Sequence, residues 1–344
     1  MIVAKSGSGP CAAEVRSTEV LSRRHAIIAV FGAGLVVVAC VRLLLGTDGL
    51  AWPRDPEVLA LRWHRVALAA VCGGGLAVAG VLLQTFLRNP LASPDLTGVA
   101  SGAGLGVLVA SYLAFRGGQT LSPVMFGPAA VVGALVTLAI VGSLARRRGR
   151  GDPIALVLIG VCVGIVATSM GLLVQHLMPP DPARSAIRWM IGSLDEQMPG
   201  WVVALGAGVV ASASLVVFRL GPSLDAASMS DEEAASVGVR VRALRVLMFV
   251  LAGLLTAVAV MLGGPIGFVG LVCPHLVRSL LGPSHRTLVV GTLLVGATML
   301  IGADVVVRLV SLEYGRLPVG VVTALLGAPV LILMLRRGVG AWGG

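Results

Sequence analysis

The chain consists largely of apolar runs of about 20 residues, most of which end at arginines. A transmembrane helix needs about 20 consecutive apolar residues, and arginines mark the points where such helices leave the bilayer. The composition agrees, since 57% of the residues are hydrophobic, 12% are charged and the mean hydropathy is +0.97. A soluble domain carries about 25% charged residues. We therefore predict an all-α polytopic membrane protein.

Ten such runs can be placed along the chain. The predicted spans cover residues 26–46, 66–87, 96–115, 124–144, 153–176, 201–218, 246–262, 264–281, 288–307 and 319–335. Most of the 26 lysines and arginines then fall on the side of the N-terminus. The positive-inside rule assigns that side to the cytoplasm, so we expect both termini there.

This topology also predicts the division of the chain. Residues 1–25 form a cytoplasmic tail, residues 26–337 form one ten-span domain, and residues 338–344 form a C-terminal tail. Within the domain, residues 219–245 are the longest charged segment between spans, and we expect them in the cytoplasm.

One apolar segment is unsuited to an unbroken helix. Residues 263–275 contain four glycines and two prolines. Proline removes a backbone donor and clashes with the preceding turn, and glycine is entropically costly in a helix. Non-helical backbone at membrane depth occurs only where protein surrounds it or where it lines a cavity. We predict a short, broken helix near residues 264–281, which is typical of a transport pathway.

The charges and cysteines exclude several classes of site. Although the net charge is +10, Lys5 is the only lysine, and the arginines lie at the ends of apolar runs. They set topology rather than form a phosphate-binding face, so nucleic acid is not an expected partner. The five cysteines are scattered without a CxxC spacing, which indicates neither disulfides nor a metal site.

No catalytic constellation is recognisable, which disfavours a membrane enzyme. A Walker A loop needs a lysine after a glycine-rich turn, and Lys5 lies in the N-terminal tail. If transport is driven by ATP, the ATPase must be another polypeptide. Ion-coupled carriers keep acidic or histidine residues at mid-membrane. Here only Asp304 comes close, near the outer end of the ninth span, so a secondary carrier is a weaker alternative.

Three segments resemble a known family. They are residues 80–94, which read GVLLQTFLRNPLASP, residues 264–278, which read GPIGFVGLVCPHLVR, and residues 317–329, which read LPVGVVTALLGAP. On these motifs the chain resembles the FecCD-type permeases of bacterial ABC importers for iron–siderophores, haem and vitamin B12. The resemblance covers nearly the whole chain. It implies ten spans per subunit, a second permease subunit (identical or paralogous), two cytoplasmic ABC ATPases and an extracytoplasmic binding protein.

The charged loop contains a predicted helix of its own. Ser230 followed by Glu233 has the spacing of a capping box, and Gly238 suits the end of a helix. The resemblance implies that this loop docks the ATPase, although a merely solvated loop helix is the alternative. The residues expected to couple to the ATPase are Ser230, Asp231, Glu232, Glu233, Ala234, Ala235 and Gly238.

The resemblance implies two further sites. Arginines on the outer face of such permeases meet acidic residues of the binding protein, and the matching positions here are Arg62, Arg65 and Arg308. Each could instead be an arginine that anchors a helix at the membrane edge. The turn with Asp152 and Pro153 matches the cytoplasmic gate region of the family. Its residues differ from the small hydroxyl residues common in relatives, which leaves the chemistry of the gate open.

Together these features predict a transport subunit rather than an enzyme, located in the bacterial cytoplasmic membrane. We expect a permease that moves ferric siderophores inward by alternating access, with cobalamin or haem import as the alternative within the class. No cofactor is expected on this chain, because ATP and Mg belong to the partner ATPase. A metal site is not expected either, since an iron–siderophore arrives already chelated.

Overall fold

The computed structural model describes residues 10–46, 49–147, 153–196, 198–312 and 315–338. Within these ranges the fold consists of α-helices, two 3₁₀ turns (Pro94–Thr97 and Pro123–Met125) and one hairpin of two-residue strands, β1 (Ser311–Leu312) and β2 (Gly315–Arg316). The helices are α1 (Pro10–Leu44), α2 (Pro56–Leu87), α3 (Val99–Arg116), α4 (Phe126–Arg147), α5 (Pro153–His176), α6 (Pro180–Met190), α7 (Gly200–Arg219), α8 (Gly221–Met229), α9 (Asp231–Ser236), α10 (Val241–Gly263), α11 (Val269–Leu281), α12 (His285–Leu309) and α13 (Val319–Gly338).

Eight of these helices are long and apolar enough to cross a membrane by length and composition. They are α1 from Ser22 onwards, α2, α3, α4 to Ala145, α5 from Ile154, α7, α10 and α12. Two shorter apolar helices, Val269–Leu281 and Val319–Met334, coincide with the eighth and tenth predicted spans. The polytopic all-helical class is thus confirmed, whereas the count of ten spans and the placement of the termini stay predictions.

Helix α2 lies at the centre of the bundle and packs mainly against α10 and α12. Its residues are buried almost without interruption from Cys72 to Phe86, because the helix is apolar on every face. It begins earlier than the predicted boundary at residue 66. The side chain of Asp55 accepts a hydrogen bond from the amide of Glu57, and Pro56 occupies the first helical position, both of which favour a helix start.

The short helix predicted near residues 264–281 is present and is preceded by a non-helical segment. Helix α10 ends at Gly263, and residues 264–268 run without helical structure before α11 begins. Gly264 adopts a positive φ of 69°, and its backbone passes so close to Trp189 that a Cβ atom would clash with the carbonyl oxygen of that residue. Only glycine meets both conditions.

The second proline of this segment does not break the helix. Pro274 lies inside α11 and leaves the carbonyl of Gly270 without its usual amide donor four residues on. That carbonyl oxygen lies where a Cβ atom at position 80 would be. Gly80 therefore lets α2 approach α11 closely, as small residues do between membrane helices.

Glycines also pack α3 against its neighbours. Gly102 and Gly106 face Gly133 of α4, and Gly98 faces Gly160 of α5, each at distances that leave no space for a Cβ atom. The four-residue spacing of glycines in α3 thus serves helix packing in lipid.

Candidate docking sites at the two ends of the bundle

Helix α2 carries a charged cluster near each of its ends. Arg65 lies in its third turn, and Arg88 caps its C-terminus. At 1.5 Å per helical residue these two positions are about 34 Å apart, similar to the ~30 Å thickness of the hydrocarbon core of a bilayer. We name the two ends of the bundle the Arg65 end and the Asp231 end.

A buried carboxylate lies at the Arg65 end, between α1, α2 and α12. The side chain of Asp304 is 1% exposed. Arg42 Nε donates to Asp304 Oδ2 at 2.5 Å, and Arg65 Nε donates to Asp304 Oδ1 at 2.8 Å. Because two guanidinium groups hold this carboxylate, Asp304 is a structural anchor rather than an open acidic relay of the kind found in ion-coupled carriers.

Arg65 has a second carboxylate partner in the segment between α6 and α7. Its Nη1 atom donates to Glu196 Oε1 at 2.5 Å. The two side chains differ in accessibility, since Glu196 is 39% exposed and Arg65 is 8% exposed. The ion pair therefore ties a surface segment to the buried cluster.

A small cavity opens beside this cluster. It has a volume of about 170 Å³. Its charged lining consists of Arg42, Arg62, Arg65, Arg308 and Glu196. The three arginines proposed from the sequence therefore meet at one cavity. The geometry can accept a carboxylate, because guanidinium groups bind carboxylates through parallel hydrogen bonds.

The three arginines differ in their exposure to solvent. Arg65 is buried, whereas Arg62 and Arg308 are half-buried. The Nη1 atom of Arg62 also donates to the carbonyl oxygen of Leu43 at 2.6 Å and to that of Ala51 at 3.2 Å. Arg65 thus lies behind the other two and is held by carboxylates of this chain, and the docking role of the three arginines stays a prediction.

At the Asp231 end, the predicted capping box is present. The amide of Glu233 donates to Ser230 Oγ at 3.0 Å, and the Ser230 hydroxyl donates to Glu233 Oε2 at 2.9 Å. The helix α9 follows, and Gly238, with φ of 82°, ends the turn after it. A second short helix, α8, precedes Ser230 in the same loop and was not predicted.

Asp231 fixes the two short helices to the bundle. Its Oδ1 atom accepts hydrogen bonds from Arg88 Nη2 at 2.5 Å and from Arg245 Nη2 at 2.8 Å. Arg88 also donates to the carbonyl oxygen of Ala227 at the end of α8. Asp231 is therefore engaged by two arginines of this chain although its side chain is 45% exposed, whereas Ala234 is buried.

The outward surface of this loop is partly apolar. Met229 and Val237 are each 69% exposed, and Glu232, Glu233 and Ala235 are exposed beside them. Exposed methionine and valine at the ends of two short helices form a surface suited to a protein partner. Sequence reasoning placed the coupling element between Asp231 and Gly238, a range that contains Val237, but missed Met229.

Helix α8 has a further tether to the bundle through a buried histidine. His285 Nδ1 lies 2.5 Å from Asp225 Oδ1, and His285 Nε2 lies 2.7 Å from Thr85 Oγ1. Although partial burial by itself raises the pKa of Asp225, the hydrogen bonds from His285 outweigh it and hold that pKa below its ordinary value. The carboxylate is consequently ionised at neutral pH and joins α8 to both α2 and α12.

A family model decides the identity of the chain. The model of the FecCD transport family matches residues 25–337. The chain belongs to the FecCD transport family. Its members are permease subunits of ABC importers, so the resemblance seen in the three motifs is confirmed.

Two curated relatives illustrate the range of the family. The chain is 36% identical over 291 residues to the cobalamin import system permease protein BtuC of Halobacterium salinarum, which covers 83% of this chain and 75% of the relative. It is 33% identical over 327 residues to the Fe(3+)-citrate import system permease protein YfmD of Bacillus subtilis, covering 91% of this chain and 93% of the relative.

A solved structure has the same fold. It is described as the inward-facing conformation of a metal-chelate type ABC transporter and is 30% identical to this chain. The TM-score is 0.81, with 91% of this chain and 99% of the other covered.

The remaining site expectations fall in other parts of the chain. Asp152 lies outside the described residues, and Pro153 is the first residue of α5, so the gate stays a prediction. Among the residues that the structure describes, no group of three or more His, Cys, Asp or Glu side chains could hold a metal ion.

Proposed function

We propose that this chain is the transmembrane permease subunit of an ATP-driven ABC importer that moves ferric siderophore complexes inward by alternating access. The observation that carries the proposal is the presence of two different surfaces at the two ends of α2. One is the arginine-lined cavity, and the other is the exposed surface of α8 and α9. An importer needs both, since a binding protein delivers the substrate on one side and an ATPase drives transport on the other.

The orientation follows from the arginines. With α11 and α13 counted as spans, ten segments cross the bilayer and both termini lie at the Asp231 end. The positive-inside rule favours that end as the cytoplasmic one. This supports a location in the bacterial cytoplasmic membrane, with the Arg65 end facing outward.

The Arg65 end is proposed to receive the binding protein. Arg62 and Arg308 are partly accessible there, and Arg65 lies behind them. Charged groups of this kind steer the encounter of two proteins and fix their register. Acidic side chains of the binding protein are the matching partners.

The Asp231 end is proposed to dock a cytoplasmic ABC ATPase. Met229 and Val237 supply apolar contact area, while Asp231 holds their helices in place through Arg88 and Arg245. Two such ATPases carry ATP and Mg, and the permease itself binds no cofactor.

A second permease subunit, identical or paralogous, is proposed to complete the pathway. Helices α5 and α13 both expose large apolar side chains, among them Ile165, Leu172, Leu325 and Ile332. Such faces suit either lipid or another subunit. Asp152 and Pro153, where α5 begins, are proposed as part of the cytoplasmic gate of this pathway.

Ferric siderophores are the substrate that we favour. The Fe(3+)-citrate relative and the metal-chelate transporter structure support an iron chelate, while the cobalamin relative keeps vitamin B12 as the alternative, together with haem. An ion-coupled carrier is disfavoured because Asp304 is held by two arginines.

The function is tested by uptake and copurification together. A deletion strain is supplied with radiolabelled ferric siderophores, cobalamin and haem, and the tagged permease is purified from the complemented strain. We expect uptake of at least one ferric siderophore and copurification of an ATPase. The double substitution Met229→Glu with Val237→Glu should abolish both, because two charges are placed on the apolar contact area, whereas Ser236→Ala, at an exposed residue of α9 outside the expected coupling residues, should preserve them.

Two results would contradict the proposal. If only cobalamin or only haem were taken up, the proposed substrate would be wrong and that compound would be the substrate instead. Uptake that collapses with the ion gradient, by a permease that purifies without an ATPase, would instead identify a secondary carrier.

A further inference from the structure

Of the two carboxylates that hold Arg65, one is buried and the other reaches the surface. Asp304 is 1% exposed, whereas Glu196 is 39% exposed and belongs to the segment that joins α6 and α7. Arg65 Nη1 points at Glu196, while its Nε and Nη2 atoms are engaged by Asp304. Loss of Glu196 would therefore leave the Nε and Nη2 atoms of Arg65 bound to Asp304, while its Nη1 atom would lose its carboxylate partner.

The surroundings of this ion pair favour another carboxylate. The cavity beside it is lined by four arginines and one glutamate. A concave, positively charged surface raises the local concentration of acidic groups. An acidic side chain that enters the cavity meets the same Nη1 atom that Glu196 now occupies.

We propose that Glu196 is an internal ligand of the docking arginines, and that an acidic side chain of the binding protein replaces it at Arg65. The inference rests on the proposed docking of a binding protein at the Arg65 end. It adds that the docking site is already occupied by a carboxylate of this chain, and that docking exchanges one ion pair for another.

The exchange has a structural consequence, because the segment that carries Glu196 borders a second cavity. That cavity, of about 420 Å³, is lined by Ile191 and residues 193–196, together with Arg65, Arg188, Val307 and residues 317–319. Arg65 and Glu196 line both cavities. Release of Glu196 from Arg65 would therefore alter the wall of the second cavity as well.

The same segment is bonded to the broken helix and to α13. The amide of Ser193 donates to the carbonyl of Gly263 at 2.9 Å, and the amide of Gly320 donates to the carbonyl of Gly192 at 3.3 Å. The ion pair from Glu196 to Arg65 joins residues 191–196 to α2. Replacement of Glu196 therefore removes one contact between this segment and α2.

The test uses Glu196→Gln, which keeps the shape of the side chain and removes its charge. Glu57→Gln is the matched control, because Glu57 is an exposed carboxylate at the start of α2 and its loss changes the net charge of the same end equally. The assembled transporter in nanodiscs is titrated with its extracytoplasmic binding protein, and hydrogen exchange of residues 191–196 is measured with and without that protein.

We expect Glu196→Gln to lower the Kd for the binding protein by about two- to fivefold, as removal of a competing exposed ion pair predicts. Exchange in residues 191–196 should rise on docking in the wild type and should already be high in the free variant. Glu57→Gln should lower the Kd only slightly or leave it unchanged, with normal exchange.

Unchanged or weaker docking by Glu196→Gln, or unchanged exchange in the free variant, would overturn the inference. A third variant separates this outcome from failure of the docking proposal itself. If Arg62→Glu with Arg308→Glu abolishes docking while Glu196→Gln behaves as the wild type, the docking site stands and only the internal ligand is wrong. If the double arginine variant docks normally at low salt, the docking site itself is wrong.

Discussion

Asp304 shows how a single carboxylate can organise one end of this bundle. It lies between two arginines from different helices, Arg42 of α1 and Arg65 of α2. Removal of one partner of a buried ion pair leaves an uncompensated charge, which costs more than the net stabilisation from the pair itself. Breaking the cluster is therefore expected to lower the free energy of unfolding by more than the intact cluster contributes to it.

Asp304→Asn should lower the free energy of unfolding by about 3–5 kcal/mol, as expected when one partner of a buried pair is removed. The amide cannot neutralise Arg42 and Arg65, and Glu196 reaches only the second of these. Thermal unfolding of the purified permease in detergent measures the change. The matched control is Asp181→Asn, which breaks a 3.8 Å pair with Arg184 between two highly exposed side chains. Equal unfolding midpoints for the two variants would contradict the structural role of Asp304.

The contacts of some residues could be predicted from the sequence, and those of others could not. The capping box of Ser230 and Glu233 was predictable, because its partners are three positions apart and their chemistry is local. The pairing of Arg65 with Asp304 was not, since 239 positions separate them and no local pattern links an arginine at one span end with a carboxylate in another span. Glu196 lay in a polar connection whose position relative to α2 only the fold defines.

At the level of elements, the contact between α2 and α11 depends on one missing side chain. Gly80 faces the carbonyl oxygen of Gly270, and that carbonyl is available because Pro274 lacks an amide proton. A larger residue at position 80 would force α11 away from α2.

Gly80→Ala should therefore destabilise the permease by about 1–3 kcal/mol, the usual cost of overpacking a well-packed interior. The methyl group would meet backbone atoms, which cannot move aside as a flexible side chain can. The control is Gly34→Ala in α1, where no atom lies within 4 Å of an added Cβ. Fluorescence-detected size-exclusion chromatography after heating compares the two variants. If Gly80→Ala survives heating as well as Gly34→Ala, the close contact of α2 with α11 is not required.

Elements with an apolar run were predictable, α9 was predictable from its capping box, and the other short helices without an apolar run, α6 and α8, were missed. The eight long helices and the break after Gly263 follow from hydropathy and from the positions of glycine and proline. Helix α6 was assigned to a connection, because it is short and carries Asp181, Arg184 and Arg188. An amphipathic helix that lies against a membrane protein leaves only a weak signal in a search for spans.

For the whole molecule, the orientation of the bundle is the main prediction still to be tested. A thiol introduced by Ser230→Cys should react with membrane-impermeant maleimide only from the cytoplasmic side of inverted vesicles. A thiol introduced by Ser122→Cys, in the exposed connection between α3 and α4, should react only from outside in whole cells. The chain without either added thiol controls for Cys40 and Cys162, which are exposed in the isolated subunit. The reverse labelling pattern would invert the assignment of the two ends.

The burial of α2 on every side limits how this transporter can change shape. A helix packed against neighbours through glycine contacts cannot bend without opening gaps along its length. We therefore expect α2 to stay rigid, with one charged cluster near each of its ends. The proposed alternating access would then move the outer helices relative to α2. A movement of the segment bound at one end of α2 would then be transmitted to the other end without bending of the helix.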